Sequence, residues 1–111
     1  MNLTIYHLKT CDSCRKIIKE IKGKGLDYTA IDVRKTPLNA STISELLEAF
    51  GPDKLLNKRS TTWRGLSDSE KNSANDNAIK LLQTYPTLMK RPVIKSDKAL
   101  TLGVKDAAQH F

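Results

Sequence analysis

The chain has 111 residues, the size of one ordinary domain and enough to bury a hydrophobic core. Charged residues interrupt each apolar run well short of membrane-spanning length, so we expect neither a transmembrane segment nor a secretory signal. The formal net charge is +7, and a basic surface attracts anionic thiols, acidic partners or nucleic acid. The lysines are dispersed and no DNA-reading motif is present, so we expect solvated helix faces and no direct DNA binding.

The first third of the chain predicts a strand, a helix and a second strand. The strands are predicted at residues 3–6 and 28–33. Between them, apolar residues recur at the spacing of an amphipathic helix, which Gly23 and Gly25 end. These apolar residues are Cys14, Ile17, Ile18 and Ile21. A strand, a helix and a strand within about thirty residues predict a βαβ unit with parallel strands.

The rest of the chain predicts helices and then a hairpin. Candidate capping boxes at Thr42–Glu45 and Ser67–Glu70 each precede a helical stretch, and Pro86 ends a later one. Residues 93–94 and 99–102 predict a β-hairpin, followed by a short helix that uses residues 104–111. The order β-α-β, helices, β-β-α predicts a single α/β domain over residues 1–111.

Two cysteines carry the most specific chemical signal. Cys11 and Cys14 form a C-x-x-C pair between the first strand and the first helix. In a protein without a secretory signal this pair indicates a reducing compartment, and we expect the cytoplasm. A thiol at a helix start lies near unpaired backbone N–H groups and the positive end of the helix dipole, which favour its thiolate. His7 and Arg15 flank the loop and could add positive charge, whereas Asp12 opposes it unless its carboxylate caps the backbone.

Thiolate is the nucleophile of disulfide exchange, so Cys11 is the predicted attacking residue. Cys14 is in phase with the apolar helix face and is predicted to be the more buried sulfur. Either Cys14 resolves a mixed disulfide, or it is an inert core residue and an external thiol such as glutathione acts instead. A structural zinc site needs about four ligands, and two cysteines with two histidines, of which His110 is remote in sequence, predict no metal site.

Three motifs resemble one known family. The segment from His7 through Cys11 to Arg15 is similar to the opening of the arsenate reductase (ArsC) and Spx-like proteins, and Arg91-Pro92 is similar to their Arg-Pro motif. Residues 55–64 resemble the YffB branch. The resemblance implies a thioredoxin-like four-stranded mixed sheet with a helical insertion at about residues 40–88, between strands two and three. It also implies a cis-proline at Pro92.

The resemblance implies functions as well as a fold. In arsenate reductases of this type three arginines surround the cysteine, and Arg91 corresponds to one that binds the oxyanion. The other two fall on Asn57, with Arg59 two residues later, and near Gly103–Val104, where this chain has no arginine. Two fewer fork-shaped donors predict weak binding of a tetrahedral dianion.

We therefore expect a thiol-disulfide oxidoreductase with Cys11 as nucleophile, no bound cofactor and glutathione as co-substrate. Arg91, Arg59, Arg15 and His7 are the candidate residues for binding an anionic substrate. One alternative is arsenate reduction linked to glutathione and glutaredoxin. The other is a redox-sensing transcriptional regulator of the Spx kind, which binds the alpha subunit of RNA polymerase. Trp63 is the single tryptophan, and it fits either a ligand pocket or the core.

Overall fold

The computed structural model describes residues 2–110, and four strands of that range form one mixed sheet. The strands are β1 (Asn2–His7), β2 (Asp27–Asp32), β3 (Val93–Lys95) and β4 (Leu100–Leu102), in the order β2-β1-β3-β4. β1 is parallel to β2 and antiparallel to β3, and β3 is antiparallel to β4. The predicted parallel pair and the predicted hairpin are both confirmed.

The helical elements lie mostly between β2 and β3. Within residues 2–110 the α-helices are α1 (Asp12–Gly23), α2 (Ala40–Phe50), α3 (Pro52–Leu55), α4 (Thr61–Arg64), α5 (Asp68–Asn72) and α6 (Ala78–Thr84). Two short 3₁₀ turns follow at Pro86–Leu88 and Ala107–His110. Every helix within residues 2–110 is too short or too polar to span a lipid bilayer.

The chain divides into two compact units. The first contains the residues up to Thr36 and those from Arg91 onward, and it includes the whole sheet and α1. The second is Pro37–Lys90, which contains α2 to α6. The second unit corresponds to the helical insertion predicted between the second and third strands.

The core of the first unit lies between β1 and α1. Alternate residues of β1 point to one face, and the i, i+4 residues of α1 pack onto that face. Ile94 of β3 lies directly opposite Ile5 of β1 and extends the same apolar surface. The buried members of this core are Leu3, Ile5, Ile17, Ile21, Ile94 and Ala107. This core therefore holds α1 against β1, the strand that leads to the cysteine loop.

The second unit shows how two helices begin. The side chain of Asn39 accepts a hydrogen bond from the Thr42 backbone N–H at 2.8 Å, so Asn39 is the N-cap of α2. The predicted capping box at Thr42–Glu45 is therefore wrong, because Asn39 supplies a strong cap three residues earlier and the helix already runs through Thr42. The predicted capping box at Ser67–Glu70 is confirmed, with reciprocal bonds of 3.1 and 3.0 Å at the start of α5.

The final segment packs through a buried histidine. The predicted helix over residues 104–111 is a shorter 3₁₀ turn at Ala107–His110, and Phe111 lies outside the described residues. The His110 side chain is fully buried, with Nδ1 bonded to Ser96 Oγ and Nε2 at 2.9 Å from Thr101 Oγ1. Burial lowers the pKa of His110 below its ordinary value. A hydrogen bond with the Ile94 backbone raises the pKa, but by less than burial lowers it. A neutral imidazole thus ties the chain end to the β3–β4 hairpin.

Candidate active site around two cysteines

Cys11 is the residue at which the β1–α1 loop becomes a helix. Its backbone N–H donates to the Leu8 carbonyl at 2.9 Å, and its carbonyl accepts from the Arg15 N–H at 3.0 Å. Its φ of −85° and ψ of 118° are extended, so Cys11 is the N-cap of α1. The side chain is partly exposed. The thiol therefore lies at the end of the helix where unpaired N–H groups favour negative charge.

The surroundings of Cys11 stabilise its thiolate. Partial burial raises the pKa of Cys11, but three neighbouring groups outweigh that effect and leave the pKa below its ordinary value. These are the backbone N–H of Cys14, the thiol of Cys14 and the guanidinium of Arg91. A lowered pKa increases the fraction of the nucleophilic form at neutral pH.

Cys14 has the opposite character. Its side chain is fully buried, as the helical phase predicts, and it is a free thiol like Cys11. Burial is the largest of the causes that together raise the pKa of Cys14 to about 11, and the contact with Cys11 acts in the same direction. The Leu8 backbone and Arg91 lower the pKa, each by less than burial raises it. The pair therefore consists of one activated sulfur and one that stays protonated.

The segment before β3 brings Arg91 to the cysteines. The Arg91–Pro92 peptide bond is cis, the geometry that the resemblance implied. The Pro92 carbonyl accepts a hydrogen bond from the Gly103 N–H at 2.8 Å, which ties this segment to the residue that follows β4. Arg91 lies close enough to lower the pKa of both Cys11 and Cys14. Arg91 is thus placed beside the two cysteines, and its role in substrate binding stays a prediction.

Arg15 and His7 serve a different part of the surface. Arg15 Nε donates to the Lys9 carbonyl at 2.9 Å, and its Nη1 lies 3.7 Å from the carboxylate of Asp12. Asp12 is therefore an ion-pair partner in the first turn, and the N-cap is Cys11. Arg15 and His7 line a surface groove of about 360 Å³, which we call the basic groove. The residues that line it are His7, Lys9, Arg15, Ile18, Lys19 and Lys22.

Arg59 and Trp63 belong to the second unit. Arg59 is exposed, its N–H donates to Asn57 Oδ1 at 3.1 Å, and its carbonyl accepts from Arg64 at 3.2 Å. Trp63 is half-buried in α4, with the ammonium of Lys58 5.5 Å from its ring centre. Trp63 is therefore not a core residue. The assignment of Arg59 to substrate binding stays a prediction.

The described residues offer no metal centre. Within residues 2–110, no three histidine, cysteine or acidic side chains converge at a distance that could hold a metal ion. His110, the histidine remote from the cysteines in sequence, is bonded to Ser96 and Thr101 instead.

Comparison with known proteins identifies the family. The ArsC family profile matches residues 6–110, which include both cysteines and Arg91-Pro92. The chain belongs to the ArsC family.

Relatives within and around the ArsC family differ in what is known of them. An uncharacterised protein of Haemophilus influenzae is 35% identical over 105 residues, covering 94% of this chain and 92% of that protein. The global transcriptional regulator Spx 1 of Bacillus cereus is 26% identical over 106 residues, covering 94% of this chain and 81% of the regulator. The relatives of this chain thus include a regulator of transcription and a protein of uncharacterised function.

Solved structures of ArsC-like proteins share the fold. The YFFB protein superposes with a TM-score of 0.88 at 24% identity, over 97% of this chain and 96% of that one. An arsenate reductase related protein of Brucella melitensis superposes with a TM-score of 0.75 at 35% identity, over 93% of this chain and 87% of that one. The fold is the thioredoxin-like α/β sheet that the motifs implied.

Two parts of the site were missed at the sequence level. The sequence predicts solvated helix faces for the lysines, whereas Lys9, Lys19 and Lys22 line the basic groove. The available signal is the i, i+4, i+7 spacing of Arg15, Lys19 and Lys22, which places them on one face of α1. The effect of Cys14 on Cys11 was also missed, since the N–H and thiol of Cys14 both lower the pKa of Cys11.

Proposed function

We propose that this ArsC-family protein is a thiol-disulfide oxidoreductase with Cys11 as its nucleophile and glutathione as its co-substrate, acting in the cytoplasm. One observation carries the proposal. Cys11 is partly exposed at the start of α1, and Cys14 and Arg91 lower its pKa. A thiolate that is accessible and stabilised at neutral pH is the species that attacks disulfide sulfur.

The reaction is two thiol-disulfide exchanges. The Cys11 thiolate attacks one sulfur of a glutathione mixed disulfide, an S–S bond forms between Cys11 and glutathione, and the other sulfur leaves as a thiolate. A second glutathione thiolate then attacks the glutathione sulfur of that intermediate. Glutathione disulfide leaves, and the Cys11 thiolate is restored.

Glutathione resolves the intermediate better than Cys14 does. In the reduced protein, a pKa of about 11 leaves about one Cys14 in 10⁴ as thiolate at pH 7, and this side chain is fully buried. The mixed disulfide removes the raising effect of Cys11 but keeps burial, which is the largest cause. Arsenate is a poorer substrate for the same nucleophile, because only Arg91 of the three expected arginines stands at its expected position.

The first test follows Cys11 alkylation by iodoacetamide against pH. The wild-type rate should keep its plateau below pH 8.5, the region where a free thiol loses reactivity. R91A removes a charge-assisted interaction with the thiolate, so its rate at pH 7 should fall about tenfold and its inflection should move to higher pH. R91K keeps the charge and is the matched control. A wild-type rate that rises only above pH 8.5 would contradict the proposal.

The resolving thiol is identified by intact mass after exposure to oxidised glutathione. The expected product carries one glutathione on Cys11, and C14A should give the same product. C11A should stay unmodified and serves as the control for Cys14 reactivity. A loss of two hydrogens would instead show that Cys14 closes a disulfide with Cys11.

A redox-sensing regulator is the second candidate function. It is favoured by the 26% identity to Spx 1 of Bacillus cereus together with the Cys11–Cys14 pair. The RNA polymerase alpha subunit should then be retained by the immobilised protein in one redox state and released in the other. Equal retention by the reduced and oxidised protein would remove this candidate.

A further inference from the structure

The basic groove continues from the cysteine loop along α1. Arg15, Lys19 and Lys22 succeed one another on one helix face, and Lys9 and His7 border them from the end of β1. Ile18 is half-buried and lies between the cations. The groove therefore combines an apolar floor with several positive charges, which suits an extended anionic chain.

The groove begins one helical turn beyond Cys11. Its first residue on α1 is Arg15, whose backbone N–H donates to the Cys11 carbonyl at 3.0 Å. The bond from Arg15 Nε to the Lys9 carbonyl holds the guanidinium at the mouth of the groove. A chain joined to Cys11 through a disulfide would place its next residues at this mouth.

The length of the groove sets the size of its occupant. From Arg15 to Lys22 the helix rises about 10 Å, at 1.5 Å per residue. An extended peptide advances about 3.3 Å per residue, so about three residues cover that length. Carboxylates within about three residues of the substrate cysteine would thus meet the three cations of α1.

Two carboxylates of the protein lie beside the groove and reduce its positive charge in part. Asp12 is exposed and pairs with Arg15 at 3.7 Å. Asp32 accepts the backbone N–H groups of Lys9, Arg34 and Lys35 at 3.2, 2.9 and 3.3 Å, and its carboxylate also interacts with His7. The four Lys and Arg side chains that line the groove outnumber these two carboxylates. The lysines at positions 19 and 22 are exposed.

We infer that the basic groove selects acidic disulfide substrates: it binds the carboxylates of a peptide segment while the Cys11 thiolate attacks the disulfide within that segment. The inference rests on the proposed function and adds the substrate class. Opposite charge along a groove raises the rate of encounter, and salt removes that gain.

The test uses peptides that carry an activated disulfide. Each has one cysteine as its 2-pyridyl disulfide, flanked on both sides by three residues that are all Glu, all Gln or all Lys. The Cys11 thiolate forms the mixed disulfide with the peptide and releases neutral 2-thiopyridone, which is followed by its absorbance. At low ionic strength the Glu peptide should react about tenfold faster than the Gln peptide, and the Lys peptide more slowly than both. At 0.5 M salt the rates should converge to within about twofold.

Two charge reversals separate the groove from net charge. K19E places a carboxylate in the groove and should reduce the Glu-over-Gln preference at least threefold. K98E makes the same change in the β3–β4 turn and should keep the preference. This turn follows Lys95, which pairs with Thr4 of β1, so it lies at the opposite end of the strands from Cys11. C11A is the blank for all peptides.

The outcomes distinguish the two proposals. Equal rates for the Glu and Gln peptides, or equal losses in K19E and K98E, would overturn the groove inference while the oxidoreductase stands. No reaction of the wild type with any peptide would overturn both. A preference for the Lys peptide would reverse the assigned substrate class.

Discussion

Cys11 and Cys14 differ in acidity because their surroundings differ. Cys11 lies at the partly exposed start of α1, and Cys14, three residues later, lies on the buried face of the same helix. Cys11 gains the Cys14 N–H and Arg91 as partners for its negative charge, whereas Cys14 is fully buried and its pKa rises to about 11. As the pH rises, the unfolded chain ionises Cys14 at a lower pH than the folded protein does. The folded protein must therefore lose stability in that pH range.

This asymmetry predicts a stability loss in alkali. Between pH 9.0 and about 11 the unfolded chain has released the Cys14 proton and the folded chain has kept it. The folded state then binds more protons, so the free energy of unfolding falls as pH rises, by up to about 1.4 kcal/mol per pH unit. Urea unfolding at pH 8, 9, 10 and 11 measures this slope.

C14A isolates the contribution of Cys14. Other titrating side chains are common to both proteins, and Cys11 is mostly ionised in the folded and the unfolded chain above about pH 10, so the difference between the two profiles in that region belongs to Cys14. Parallel profiles for wild type and C14A would show that Cys14 keeps an ordinary pKa in the folded protein.

Helix starts decide where several elements of this molecule lie. α1 begins at Cys11, α2 at Asn39 and α5 at Ser67. The side chains of Asn39 and Ser67 accept a backbone hydrogen bond, whereas Cys11 makes no side-chain capping bond. Two of these caps therefore stabilise the fold, while the cap of α1 is the proposed nucleophile.

The cap of α2 can be tested against its rival. N39A removes the acceptor for the Thr42 N–H and should lower the free energy of unfolding by about 1 kcal/mol. T42A leaves that backbone N–H in place and should cost less than half as much. Chemical denaturation of both variants measures the difference. A larger cost for T42A would restore the capping box at Thr42.

Prediction from sequence succeeded where a local pattern determines an element. The apolar spacing of α1 and the Ser67–Glu70 box are local, and both are confirmed. The predicted start of α2 at Thr42 was wrong, because Asn39 lies three residues earlier and asparagine is a stronger N-cap than threonine. The 3₁₀ turn at Ala107–His110 was predicted as a helix, because the contacts of His110 with Ser96 and Thr101 are distant in sequence. Likewise, only the family resemblance indicated that Arg91 approaches Cys11.

At the scale of the whole molecule, the sheet carries the site. β1 leads to the Cys11 loop, β3 follows Arg91-Pro92, and the two strands are adjacent and antiparallel. The end of β1 and the start of β3 therefore meet at the same edge of the sheet. The antiparallel pairing of these strands thus brings Arg91 close to Cys11.

A core substitution should therefore affect stability strongly. I5A removes a fully buried side chain opposite Ile94 and should cost about 2–5 kcal/mol. V104A truncates a side chain that is 46% exposed and should change the free energy of unfolding by less than about 0.5 kcal/mol. Urea midpoints of the two variants make the comparison. Equal midpoints would place Ile5 outside the core.

Gly103 limits what this scaffold can become. The third arginine of the arsenate reductase pattern is expected near Gly103–Val104, and Gly103 has a φ of +89° in a region that side-chain-bearing residues rarely occupy. A new guanidinium at 103 would force that backbone to rearrange, together with the hydrogen bond that Gly103 donates to Pro92. Conversion toward oxyanion chemistry at this position therefore requires a remodelled loop as well as a new side chain.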